Sequence, residues 1–156
     1  PLALSRFSSG KGATMPAGEN KAIARTALEG VWSVAGTASP DQLYAANFVG
    51  HQPGQQNEAD IGGIEALKAF IAEFHLAFPD LNDAVEFQIG EGDMVATAFT
   101  SSGTHKGELM GVPPTGKRIE WSGIEIVRIE AGKVAENWVS WDKLGVLEQV
   151  GAVDRN

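Results

Sequence analysis

The amino-acid sequence predicts a single α+β domain, with helices first and a run of antiparallel strands afterwards. Three observations carry that prediction. Between Asn20 and Phe78 apolar residues return every three or four positions, the spacing of one helix face. Between Ala84 and Trp141 the pattern changes to alternation broken by short glycine-containing turns, the spacing of strands joined as hairpins. The chain of 156 residues is long enough for one substantial core and too short to favour two.

Residues 1–19 are rich in Gly, Ser and Ala with scattered basic residues, and are predicted to be a flexible extension in which Met15 is a candidate start. The domain is expected over 20–151, and 152–156 as a tail. Ile23, Ala24, Ala27, Leu28, Val31, Trp32 and Ala35 define a first amphipathic helix, which Gly36 to Pro40 interrupts. Ser39 can cap a short second helix with Pro40 at its first position and Leu43, Tyr44 and Phe48 inward. The stretch FVGHQPGQQNEADIGG, with Pro53, Gly54, Gly62 and Gly63, reads as a loop of a length that is often functional. A longer helix follows from Ile64 to Phe78, its apolar face formed by Leu67, Phe70, Ile71, Phe74 and Phe78, and Pro79 stops it. Each buried Phe or Leu contributes about 1.5–3 kcal/mol, so this face suits the cover of a sheet.

Strands are predicted over 84–89, 94–103, 118–129 and 133–141. The turn Glu130-Ala131-Gly132-Lys133 pairs the last two antiparallel, which brings Trp121, Glu125 and Arg128 beside Trp138. Residues 105–117 hold too many Gly and Pro for a strand interior and read as a loop or short helical turn at a pocket rim. Its Leu109 and Met110 are either lid residues over a ligand or ordinary core, and the pattern favours core.

Charge and composition exclude several functions. A net charge of -8 and a pI near 4.8 oppose a nucleic-acid or anionic-membrane partner. The absence of cysteine excludes disulfides, thiolate catalysis and cysteine-ligated zinc. No apolar run approaches the roughly 20 residues that span a bilayer, and the first residues lack a signal-peptide hydrophobic segment, so a soluble cytoplasmic protein is expected.

The chemistry-bearing stretch is Gly132 to Asp142, where an alternating strand ends on a carboxylate flanked by tryptophans. By parity Val134, Glu136, Trp138, Ser140 and, if the strand persists, Asp142 share one face. If that face lines a pocket, apolar surroundings raise the Asp142 pKa toward the range useful for proton transfer. Asp is equally a preferred helix N-cap, and a helix begins at Lys143. Parity makes Trp138 the pocket tryptophan and Trp141 the one on the opposite, oligomer-facing side. His105 ends a strand at the loop rim, where a hydrogen bond to loop backbone competes with catalysis. His75, beside Phe74, reads as surface or packing. Glu125 is either a second pocket carboxylate or the partner of Arg128 or Lys133 at a solvated edge, and the edge is slightly favoured. No histidine pair has metal-motif spacing, so no metal site is expected.

The stretch from Phe78 to Gly151 resembles the SnoaL-like polyketide cyclases, also called ester cyclases, of the nuclear transport factor 2-like superfamily. The resemblance runs from Asn20 to Gly151 and rests on Phe78-Pro79-Asp80, Gly92-Asp93, Gly103-Thr104-His105, Pro113-Pro114-Thr115-Gly116 and the Trp138 to Asp142 stretch, in family order. It implies a cone-shaped α+β barrel, with a curved antiparallel sheet wrapped around the long helix. It also implies an apolar pocket lined by Phe74, Phe78, Leu109, Met110, Trp121 and Trp138, with His51, after Phe48-Val49-Gly50, as a candidate cavity residue, a hydrophobic small-molecule ligand, and homodimers or higher homo-oligomers formed through the sheet. The activity implied is an intramolecular aldol ring closure without metal or organic cofactor. Its acid/base is an aspartate at the end of the last strand, to which Asp142 corresponds, and Arg128 or His105 is the candidate assisting basic residue. Relatives on this fold are also hydroxylases, isomerases, dehydratases and epoxide hydrolases, and a non-catalytic binding or oligomeric module is the remaining reading.

Overall fold

The computed structural model describes residues 16–52 and 60–154. The predicted extension up to and including Met15, the loop residues Pro53 and Gly54, and the last two residues of the tail lie outside the described residues. The elements run α1 (Ala17–Arg25), a π-helical continuation (Thr26–Trp32), α2 (Pro40–Leu43), β1 (Tyr44–His51), β2 (Ile61–Gly62), α3 (Ile64–Ala77), β3 (Asn82–Glu91), β4 (Met94–Thr104), β5 (Arg118–Glu130), β6 (Lys133–Trp141) and α4 (Lys143–Val150). The fold is α+β, built on a curved, unclosed six-stranded sheet in the order β2-β1-β6-β5-β4-β3.

Turn chemistry explains how the hairpins close. Ala131 and Gly132 both have positive φ, 51° and 75°, the backbone that a two-residue turn needs to match strand twist, and Glu130 pairs with Lys133 across it. At the tip of the 105–117 loop, Met110 and Gly111 repeat this geometry, and Leu109 and Val112 bridge behind them. Phe78-Pro79-Asp80 is a structural device. Asp80 accepts hydrogen bonds from the Thr104 backbone N–H at 2.6 Å and its hydroxyl at 2.7 Å, while the Phe78 ring packs so close to Gly103 that an added Cβ would sit 2.9 Å from Phe78 Cβ.

The second helix is shorter than its apolar spacing suggests. It ends at Leu43, and Tyr44 to His51 is a strand running parallel to β6, with Val49, Gly50 and His51 opposite Glu136, Asn137 and Trp138. Tyr44 and Phe48 are buried as expected. Positions four apart share a face in a helix and in a strand alike, so their spacing could not choose between the two. The sheet consequently contains one parallel pair where an antiparallel set was expected.

β6 is not a regular strand, contrary to its alternating sequence. Arg128 pairs with Glu136 but Ile129 pairs with Val134, so Ala135 is an extra residue in the ladder. Such a bulge flips the parity of everything beyond it. Val134 faces the core, and beyond the bulge the inward residues are Asn137, Val139 and Trp141. Trp138 lies on the other face, stacked on His51 at 5.2 Å between ring centroids.

Two buried clusters fill the concave side. One joins Ala24, Ala27 and Val31 to Tyr44, Phe48, Leu67, Ile71, Val95 and Val127. The other joins Phe78, Leu81, Leu109, Ile119 and Trp121 to Val146 and Val150 of α4. Leu109 is therefore core, whereas Met110 is 41% exposed at the loop tip.

Candidate functional site: a carboxyl-bearing cavity

A cavity opens on the concave side and is lined by members of both clusters, Phe48 and Leu67 from one and Leu81 and Trp121 from the other. Trp32 stands edge-on to Phe70 and Phe74, each at 6.0 Å, and Phe74 stands edge-on to Trp141 at 6.0 Å. Into this aromatic surround project Glu125 of β5, Asn137 of β6, Ser101 of β4 and Asp83 of β3.

Strand pairing explains the convergence. Glu125 lies opposite Thr97 on one side and Val139 on the other, and Asp83 lies opposite Ser101, so all of these side chains are on the inward face. Glu125 is 3% exposed. Burial, followed by the nearby charge of Asp83, pushes its carboxyl up to about 7, against a hydrogen bond with Asn137 that favours the ionised form. Asp83 is 7% exposed, and burial pushes it up to about 6, opposed by a hydrogen bond donated by the Ser101 hydroxyl and, more weakly, by the electrostatic effect of His75 without a hydrogen bond. Tyr44, buried nearby, accepts a hydrogen bond from Trp32 Nε1 at 3.1 Å, and desolvation, with the charge of Glu125 second, holds its phenol protonated.

Residues singled out from the sequence fall in different places. Phe74, Trp121, His51 and Glu125 line the cavity, and Glu125 is not at a solvated edge. Arg128 bonds Glu136 at 3.2 Å and Glu130 at 3.0 Å instead of Glu125, and Lys133 donates to the Asp41 carbonyl. Phe78, Leu109, Met110 and Trp138 are outside the lining: the first two are core, Met110 is at the loop tip, and the bulge turns Trp138 away.

His51 reaches the outer face as well as the rim. Its ring nitrogens contact Asp60 at 3.0 Å and Glu136 at 2.7 Å; burial acts against protonation, and those two carboxylates overcome it, so its pKa is raised. His105 is fully buried outside the cavity, with Nδ1 3.0 Å from the Thr115 hydroxyl, and burial lowers its pKa. His75 contacts the Trp32 carbonyl at 2.7 Å.

Asp142 sits just past the end of β6 as the N-cap of α4, accepting a hydrogen bond from the Gly145 N–H at 2.8 Å, and it is exposed and outside the cavity lining. This is the arrangement of the cap alternative. The cavity residues without a sequence signal are Asp83, because β3 begins at Asn82 and not at the predicted Ala84, and Asn137 and Trp141, whose facing depends on the bulge. Ser101 and Phe99 were within reach, because β4 alternates without interruption.

Among the described residues, no group of three or more His, Asp or Glu side chains gathers as a metal site. No described helix is long and apolar enough to cross a membrane.

Comparison with known proteins gives one consistent picture. The chain is 31% identical over 111 residues to the aklanonic acid methyl ester cyclase DauD of Streptomyces sp. (strain C5), covering 68% of this chain and 69% of that protein. Its structure resembles a Jannaschia protein named as a SnoaL-like polyketide cyclase, with a TM-score of 0.78, 24% identity, and 93% and 100% of the two chains covered. It also resembles AclR of Streptomyces galilaeus, named as a hydroxylase, with a TM-score of 0.73, 27% identity, and 90% and 85% covered. The family model for the SnoaL-like polyketide cyclases matches residues 22–150, and the chain accordingly belongs to the SnoaL-like polyketide cyclase family.

Proposed function

We propose that this chain is a cofactor-independent cyclase that closes a ring by aldol chemistry on an apolar, carbonyl-rich small molecule, with Glu125 as its acid/base. The observation that carries this reading is the most deeply buried carboxyl of the cavity, Glu125, raised to about 7 among aromatic walls. Near neutral pH such a group has both protonation states available, the condition for efficient proton transfer. Ring closure needs removal of a C–H proton next to an ester carbonyl, attack of the resulting enolate on a second carbonyl, and protonation of the new alkoxide. The aromatic walls fit a flat, conjugated substrate and hold it folded for reaction, while Asn137 fixes the Glu125 carboxyl.

The curated relative names a probe, aklanonic acid methyl ester. Incubated with the wild-type protein it should give a cyclised isomer of unchanged mass and new chromatographic retention. Glu125→Gln should slow that conversion about 10²–10⁴-fold, the usual worth of a general acid/base. A Gln variant that cyclises at the wild-type rate overturns the assignment. The likeness to AclR supports a second reading, the same cavity used for hydroxylation, which would appear as a mass increase of the probe.

The outer sheet face supports self-association. Phe87, Ile89, Ile124 and Ile126 are exposed there, and the register lines them up in two adjacent rows, Ile89-Ala96-Ile126 and Phe87-Ala98-Ile124. Covering such a patch with a second copy removes it from water. A homodimer or larger homo-oligomer through this face completes the proposal.

A further inference from the structure

Asp83 is the second buried carboxyl of the cavity, and a single acid/base at Glu125 leaves it without a role. Its position is closely held. Its backbone N–H donates to Ser33 Oγ at 2.8 Å, Val34 N–H donates to the neighbouring Leu81 carbonyl at 2.9 Å, and its side chain accepts from the Ser101 hydroxyl across the β3–β4 pair. A neutral amide would tie the two strands together without the desolvation cost of a carboxyl, so bridging alone does not account for the residue type.

We infer that Asp83 and Glu125 act as a pair, Asp83 taking the acidic C–H proton and Glu125 delivering a proton to the oxygen of the second carbonyl. The pair presupposes the ring closure proposed above and divides its two proton transfers between two residues. Hydrogen bonding sets the order, because the Ser101 donor favours the ionised form of Asp83, whose charge in turn favours the protonated form of Glu125. The other titratable groups acting on the two do not invert it. His75 of α3 favours ionised Asp83, and Tyr44 of β1 stays protonated.

The atoms balance. The C–H bond breaks with its proton passing to Asp83, the enolate carbon bonds the second carbonyl carbon, and that carbonyl's π pair moves to oxygen, which takes the Glu125 proton. The product is an isomer of the substrate. Proton return from Asp83 to Glu125 resets the site, and no oxidant or reductant is needed.

The test separates the two transfers by following enzyme-accelerated deuterium exchange at the carbon next to the ester carbonyl, alongside cyclisation, with the same methyl ester probe. Asp83→Asn should lose exchange and cyclisation together, by about 10²-fold or more. Glu125→Gln should keep exchange and lose cyclisation. Exchange retained in Asp83→Asn overturns the pair. Exchange lost in Glu125→Gln with cyclisation also lost restores Glu125 as sole acid/base, cyclisation retained in Glu125→Gln overturns the pair by removing Glu125 from the chemistry, and wild-type protein that neither exchanges nor cyclises the probe overturns the functional reading itself.

Ser101→Ala excludes a merely structural role, since without the donor the pH midpoint of exchange should rise by about one unit, and an unmoved midpoint counts against Asp83. A measurement on the protein alone completes the test. In carbon-13 carboxyl titrations, Asp83→Asn should lower the Glu125 midpoint, and an unchanged midpoint overturns the pair whatever the probe does.

Discussion

Replacing Glu125 by Gln should make the protein more stable in alkaline solution and leave it nearly unchanged in acid. Gln keeps the side chain's volume and a partner for Asn137, and it removes only the capacity to ionise. In the folded chain Glu125 is raised from 4.5 to about 7. A raised carboxyl favours the folded state only while protonated: that contribution is complete below the unfolded value of 4.5 and is lost as pH rises through about 7. The shift corresponds to about 3 kcal/mol at 1.36 kcal/mol per unit. For a chain of this size that is worth about 6–12 °C in melting temperature. The assay is urea unfolding of wild type and Glu125→Gln at pH 4.5, 6 and 8. The stability gap should open in favour of Gln by up to about 3 kcal/mol between the first and last of these. Asp83, raised to about 6, is present in both proteins, and only the part of its slope that does not depend on Glu125 cancels in the comparison. A gap that stays constant across this range refutes the claim that Glu125 is buried with a raised pKa.

Three further outcomes are expected. Asp142→Ala should cost about 1 kcal/mol by removing the α4 cap, while Asp142→Asn, which can still cap, should fold and cyclise as wild type; loss of turnover in a well-folded Asn variant would return the acid/base role to Asp142. Gly123→Ala should destabilise by about 1–3 kcal/mol, because the new Cβ would lie 2.5 Å from Phe99 Cζ and 2.9 Å from the Ser140 carbonyl, and an unaltered urea midpoint would contradict this packing. Ile126→Glu should reduce the sedimentation mass to that of one chain if the outer sheet face joins copies, and an unchanged mass would remove that face from the proposal.

Strands β3 to β6 were legible because their cues are local, whereas β1 and β2 were read as helix and loop. Alternation from Met94 to Thr104 and Arg118 to Glu130, with Gly92 and Gly132 at the turns, sets strands and hairpins whatever the rest of the chain does. Pro79 marked the stop of α3 to within two residues. The site was harder to read because it depends on long-range pairing. One extra residue at Ala135 decides which of Trp138 and Trp141 sees the cavity, and only the β5–β6 register reveals it. Glu125 could be singled out as a carboxylate among Ile and Val, but its burial follows from the curvature of a sheet no single strand encodes. Asp142 was ambiguous for a chemical reason: the same carboxylate that can move a proton also satisfies a helix N-terminus.

The most direct test of the assignment is a structure of the protein with the cyclised product of aklanonic acid methyl ester bound. The hydroxyl oxygen that closure leaves on the new ring carbon should lie within about 2.6–3.2 Å of the Glu125 carboxyl, inside the cavity between Trp32, Trp121 and Trp141. A product bound elsewhere, with Glu125 out of reach of any ligand oxygen, would contradict the role given to this residue.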